Sequence, residues 1–262
     1  MNQKLVIVRG AGDMATGVLY ALHHFGYRAA ATELERPSSI RRTVSLSEAV
    51  YDQTYTVEDL AAKRCGQQET VSVFAAGQVP ILVDPEGESI RDLKPDIVVD
   101  AMLAKRNLGT TTDMAPVVIG VGPGFYAGRD VHAVVETKRG HDLGRVILNG
   151  GAVPNTGIPG NIGGYTSERV MYSPCAGTIK NIRQIGDHVE AGEPVATVGG
   201  TPVPAKISGM LRGLIRDGYP VTQGFKVADV DPRNLYEYCF TISDKARLVG
   251  FGVLMAIQML SK

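Results

Sequence analysis

A short apolar strand running straight into a glycine-rich turn and then an amphipathic helix leaves few folds open to this chain. Leu5-Val6-Ile7-Val8 is a continuous apolar run, the pattern of a strand covered on both faces. Gly10-Ala11-Gly12-Asp13-Met14-Ala15-Thr16-Gly17 follows at once. Met14, Val18, Leu19, Ala21, Leu22 and Phe25 then recur at helical spacing, with Gly26 where a helix would end. Ala29 to Thr32 reads as a second short strand, closing on Glu33.

The spacing Gly10-x-Gly12-x-x-Ala15 fits a dinucleotide fingerprint in its final-alanine form, so the first half is expected to be a Rossmann-like parallel-sheet domain. Gly10 would permit the tight turn, Gly12 the close approach of a pyrophosphate, and Ala15 the packing of helix on sheet. The helix amino end would then face the anion. Glu33 stands where an acid would accept ribose hydroxyls, while Arg36, Arg41 and Arg42 could neutralise phosphate. Asp13 is an unusual neighbour for a phosphate and could instead cap the helix. The competing reading is a turn of this shape that binds nothing.

Further buried-type strands are expected at Ile81–Val83, Ile97–Val99, Val117–Ile119 and Val131–Val135. Ligands of open parallel sheets lie beyond the strands' carboxyl ends, which singles out Asp84, Asp100, the turn Gly120 to Gly124, and Glu136. Asp100, ending the most apolar strand, is the leading candidate for catalysis or ligand contact. Lys105, Arg106 and Asn107, then Thr110 to Thr112, suit an anionic ligand or a plain solvated loop equally. The expected binding set is Gly10, Gly12, Asp13, Ala15, Glu33, Arg41, Arg42, Lys105, Gly122 and Gly124.

Equal numbers of basic and acidic residues, 27 each, argue against a general nucleic-acid binder. Cys65, Cys175 and Cys239 form no C-x-x-C pair, so neither a cysteine-rich zinc site nor a disulfide framework is expected. His132, Glu136 and His141 have no ligand spacing, and no metal is expected. The opening residues Met1 to Val8 carry no leader pattern, and Ala246 to Leu260 is too short for a membrane span. A cytoplasmic protein with no membrane partner is expected.

The second half repeats itself. Residues 174–198 match residues 206–230 at an offset of 32, with identities at Gly177/Gly209, Gly186/Gly218, Val189/Val221, Gly192/Gly224, Val195/Val227, Ala196/Ala228 and Val198/Val230. Such a repeat implies two copies of one supersecondary unit around one core. It resembles the lipoyl/biotinyl-like hammerhead barrel. In that family the modified lysine sits at the tip between the repeats; here the tip is Gly199-Gly200-Thr201-Pro202-Val203-Pro204, with no lysine. Neither biotin nor lipoate is therefore expected. The fold class expected is α/β: a Rossmann-like domain over residues 1–165, a small all-β barrel over 170–232, and a helical segment over 233–262 packing on the first domain or on a dimer partner.

An ordered set of motifs runs the length of the chain. After Gly10 to Gly17 come Ile40-Arg41-Arg42 to Glu48-Ala49-Val50-Tyr51, Gly122-Pro123-Gly124-Phe125, and Val135-Glu136-Thr137 with Arg139-Gly140-His141 and Leu143-Gly144. Asn155-Thr156-Gly157, Asp229 to Arg233, and Ser243-Asp244-Lys245-Ala246 complete it. The set resembles the YqeB family, accessory proteins of selenium-dependent molybdenum hydroxylase systems. That resemblance implies a maturation role, with the hydroxylase or its maturation proteins as partners and a nucleotide or molybdopterin-type cofactor as ligand. Two rival readings remain: an NAD(P)-dependent oxidoreductase, for which no Tyr-x-x-x-Lys relay is present, and a scaffold that docks a partner through the barrel.

Overall fold

In the computed structural model, residues 4–261 are described; residues 1–3 of the leader reading lie outside them. The chain forms two compact units that are interleaved in sequence. The first comprises residues 1–37, 45–156 and 242–262; the second, residues 38–44 and 157–241.

The first unit is built on a nine-stranded sheet. In chain order its elements are β1 (Leu5–Arg9), α1 (Asp13–His24), β2 (Arg28–Glu33), α2 (Ala49–Asp52), β3 (Thr54–Val57), β4 (Leu60–Arg64), α3 (Thr70–Ala75), β5 (Val79–Val83), α4 (Glu88–Leu93), β6 (Ile97–Asp100), β7 (Val117–Val121), β8 (Ala133–Val135) and β9 (Val146–Ile147). The strand order is β3-β4-β5-β2-β1-β6-β7-β8-β9. The strands from β4 to β8 pair in parallel, while β3 on β4 and β9 on β8 are antiparallel.

This corrects the expected fold class: the sheet is mixed, with hairpins at both edges, and not a Rossmann-like parallel sheet. The physical cause is visible in the crossovers. No α-helix joins β6 to β7, where one 3-10 turn at Thr112–Met114 intervenes, and none joins β7 to β8. Loop side chains fill that layer. Phe125, Ala127 and Val131 pack with Ile7, Ala30, Val98, Val118 and Val134 on one face of the sheet. Gly120 makes this possible, because a Cβ there would lie 2.5 Å from the Phe125 ring.

The opposite face is covered by α1 and by the last element, α5 (Asp244–Leu260). Gly17 abuts Ala246 and Gly250, and Ala21 abuts Gly250. Further along, the Phe25 and Phe251 rings meet edge to face at 6.2 Å. Sequence numbers rise together along both helices, so they run parallel. Their amino ends lie at the same end of the unit, beyond the carboxyl ends of the strands. Contact is close because glycine replaces a side chain on each helix: a Cβ on Gly17 would overlap the Ala246 carbonyl, and one on Gly250 the Gly17 carbonyl.

The second unit has eight strands, β10 (Val170–Tyr172), β11 (Gly177–Asn181), β12 (His188–Val189), β13 (Pro194–Val198), β14 (Thr201–Pro204), β15 (Gly209–Leu214), β16 (Pro220–Val221) and β17 (Lys226–Asp231). They divide into two four-stranded antiparallel sheets, β10-β17-β15-β12 and β14-β13-β11-β16. The hammerhead barrel is thus replaced by two sheets sharing one core, which includes Met171, Ile179, Val195, Leu211, Val227 and Val230. The repeat is real at the level of packing. Val189 and Val221, Val195 and Val227, and Val198 and Val230 are all buried. The two copies exchange their short strands, with β12 pairing with β15 and β16 with β11.

Candidate anion site at the carboxyl end of the sheet

Half of the glycine turn is occupied by the protein itself. Gly10, at φ 96°, donates its N–H to the Thr32 carbonyl at 2.8 Å. Ala11 is fully buried, and its N–H donates to the Glu33 carboxylate at 2.8 Å. The second Glu33 oxygen accepts the Leu34 N–H at 2.8 Å. Burial raises the Glu33 pKa, partly offset by those two hydrogen bonds. From above, the buried residues Ser45 to Glu48 lie across the turn. The Ser47 N–H donates to the Ala11 carbonyl at 2.8 Å, and the Leu46 N–H donates to Thr16 Oγ1 at 3.0 Å.

What stays partly exposed is Gly10, Gly12 and Asp13. Gly12 is the N-cap of α1, and no side chain caps the helix there. An anion would therefore have a narrower seat than the motif implied, limited to the first turn from Gly12 onward.

Beside that seat stands a residue the sequence reading passed over. Lys245, in the first turn of α5, is half-buried. Burial holds its amine below the ordinary lysine value and the nearby Arg139 charge adds to this, while Asp13, Glu136 and Asp244 oppose it. Arg139 is held by Asp244 through two hydrogen bonds of 2.6 and 2.9 Å. Glu136 is buried and organises the adjoining loops: one oxygen accepts the N–H groups of Thr137 and Lys138, the other that of Val153, each at 2.7 Å.

No protein-family model matches the chain. Among curated proteins it is 47% identical over 260 residues to the uncharacterised protein YqeB of Escherichia coli K12. This chain is a relative of YqeB. The match takes in 99% of the chain but 48% of YqeB, so the chain spans about half the length of that relative. Solved structures give only loose likenesses. An aspartoacylase family protein from Mesorhizobium loti superposes with a TM-score of 0.29 at 13% identity, covering 88% of this chain and 85% of that one. The ectoine utilization protein EutE (DoeB) from Ruegeria pomeroyi gives 0.28 at 12% identity, covering 87% and 85%. At that level no chemistry passes from those proteins to this one.

Three of the motifs behind the YqeB resemblance converge in the first unit. Gly10–Gly17, Val135–Gly144 and Ser243–Ala246 are far apart in sequence, yet Gly17 touches Ala246, Gly144 touches Leu248, and Arg139 pairs with Asp244. The remaining expected site residues are placed differently. Asp100 is almost fully buried, accepting hydrogen bonds from Thr110 Oγ1 at 2.6 Å, the Met102 N–H at 3.2 Å and Arg9 at 3.4 Å. Arg9 also donates to Thr110 Oγ1. Burial raises the Asp100 pKa, partly offset by the Thr110 bond and the Arg9 charge. Asp84 accepts the N–H groups of Glu88 and Ser89 at the start of α4.

Gly122 and Gly124 act through close packing. A Cβ on Gly122 would lie 2.8 Å from Thr137 Oγ1, and one on Gly124 2.7 Å from the Arg106 backbone. Lys105 is exposed, with a left-handed φ of 63°. Ala15 is buried. Arg41 and Arg42 belong to the second unit, where Arg41 donates to the Tyr238 carbonyl at 3.1 Å and Arg42 to the Leu214 carbonyl at 2.8 Å. His132 Nδ1 accepts the Val118 N–H at 2.9 Å, so that ring bridges strands. No helix among the described residues is long and apolar enough to cross a membrane.

Proposed function

We propose that this chain is an accessory factor of a selenium-dependent molybdenum hydroxylase system, and that it holds a phosphorylated ligand at the first turn of α1. The observation that carries the reading is the convergence of three YqeB-like motifs around the paired amino ends of α1 and α5. Two parallel helix dipoles and the Lys245 ammonium supply positive potential there. Asp13 and Glu136 set a limit to it, favouring a compact phosphate over a long polyanion.

The Glu33 geometry weighs against the dinucleotide alternative. Its two oxygens each already accept one backbone N–H, so only one acceptor site on each is left for a ribose diol. A molybdopterin-type phosphate, which has no ribose, makes no such demand.

The test is anaerobic purification followed by mass spectrometry of bound small molecules, paired with calorimetric titration of ADP and pyrophosphate into the wild type, Gly12→Val and Lys245→Gln. A bound phosphorylated pterin or nucleotide, lost in both variants, is expected. Equal binding by all three proteins, or binding of NAD(P) alone, overturns the site. Deleting the gene should lower hydroxylase activity in the host without lowering the hydroxylase polypeptide. Unchanged activity overturns the accessory role.

A further inference from the structure

Arg9 ends β1 with its side chain only 6% exposed. Its Nη1 donates to Thr110 Oγ1 and, at 3.4 Å, to Asp100. The guanidinium is a planar fork of N–H donors, and among the described residues nothing accepts from its Nε or its Nη2. A buried donor edge of this kind calls for an acceptor, because an unmet buried N–H is costly. Gly87 leaves that edge uncovered, since even a Cβ there would lie 3.9 Å from Arg9 Nε.

Gly87 is also the head of a groove of about 850 Å³, within the roughly 300–1,000 Å³ of small-molecule pockets. One wall is Gly87, Ile90, Arg91 and Lys94, a single face of α4 by their spacing. The other wall is the segment that carries Thr111, Met114 and Ala115 from β6 towards β7. A crossover helix would fill this space, but the segment is one 3-10 turn between the extended residues Thr111 and Ala115, which is thinner. Arg9 belongs to this face of the sheet: Ile7, two residues earlier on β1, packs in one core with Ile90 and Ala115. The helix α1 covers the opposite face.

We propose that Arg9 and this groove bind a small apolar carboxylic acid. The carboxylate takes the Nε–Nη2 edge of Arg9, and the apolar body lies along Ile90, Met114 and Ala115. Side-on pairing of this edge with a carboxylate is bidentate, the strong form of the contact. Asp100 already stands at the Nη1 side, and Asp96 and Asp113 line the groove, so a monoanion is favoured over a phosphate dianion. Arg91 and Lys94 balance those two groove acids. The site is separate from the anion seat at α1 and does not rest on it.

Indole-3-propionate is a probe of this class. The chain has no tryptophan, so indole emission reports the probe alone. Titration with the protein should show saturable binding, about 10-fold tighter than for the matched alcohol 3-indolepropanol, as one charge-assisted pair implies. Arg9→Lys keeps a positive charge for Asp100 but lacks the fork, and should bind acid and alcohol alike. If that variant fails to fold, the wild type still decides, since the Ile90 and Met114 methyl resonances should shift with the acid. No saturable binding overturns the proposal and leaves water as the acceptor. Equal affinity of the wild type for acid and alcohol overturns it, as does binding that leaves both methyl groups unmoved. Displacement of the probe by pyrophosphate assigns it to the α1 turn and overturns the site as well.

Discussion

The Glu33 carboxylate receives the Ala11 N–H at 2.8 Å and so fixes the turn ahead of α1 from the inside. An acid at the end of β2 is therefore part of the scaffold that presents the helix. Its loss should be felt first in stability.

Glu33→Ala leaves the buried Ala11 N–H without its acceptor and should cost about 1–3 kcal/mol, whereas Glu33→Gln retains one acceptor and should cost less. The pH dependence has a definite sign. The folded pKa is raised above its ordinary 4.5, so the folded state holds the proton more tightly. The wild type should lose stability relative to Glu33→Gln as pH rises from below 4.5 through the raised value, as read by urea denaturation. A difference that grows in the wild type's favour over that window contradicts the assignment.

Arg9 and Asp100 are both buried, and Thr110 joins them. Arg9→Met strands the Asp100 carboxylate and should cost about 3–5 kcal/mol. Adding Asp100→Asn should recover part of that loss, giving a double variant more stable than the sum of the singles allows. Strict additivity in denaturant titrations would show that the two side chains act independently.

Gly17→Ala should destabilise although alanine favours helices by about 1 kcal/mol. The added methyl meets the Ala246 carbonyl, a backbone group that moves only with the whole of α5. A net loss of about 1–3 kcal/mol is expected. A variant with raised Tm would mean that the two helices are not in close contact.

Cys239 is buried beside the Leu211 carbonyl, and its thiol is pushed up to about 11 by that burial. Because the thiolate is the reactive species, Cys239 should resist disulfide-exchange reagents at pH 8 and react only in denaturant. Prompt reaction of the native protein at this position would refute the burial.

The sequence carried the strands of the sheet centre well. Leu5–Val8, Ile81–Val83, Ile97–Val99 and Val117–Ile119 read as continuous apolar runs because both their faces are covered. The edge hairpin β3–β4 escaped, since Thr54 to Arg64 mixes exposed and buried positions without a clean alternation. The helix-free crossovers escaped too, because Phe125 and Val131 cover the sheet from loops that carry no period. At the site, Gly10 and Gly12 advertised a turn by spacing alone. Lys245 was hidden inside what read as a helical segment, and only the tertiary contact of Gly17 with Ala246 brings it to α1. Arg41 and Arg42 were misleading because, though close to Glu33 in sequence, they belong to the second unit and bond to its Tyr238 and Leu214 carbonyls.

The interleaving of the two units has a temporal consequence. The chain passes from one unit to the other after residues 37, 44, 156 and 241, and the first unit receives its closing helix only after every segment of the second has been made. Until α5 has been translated, the Gly17 face of α1 lacks the helix that packs on it. The first unit can therefore finish only after the whole of the second has left the ribosome's active centre, which sets an order for the two.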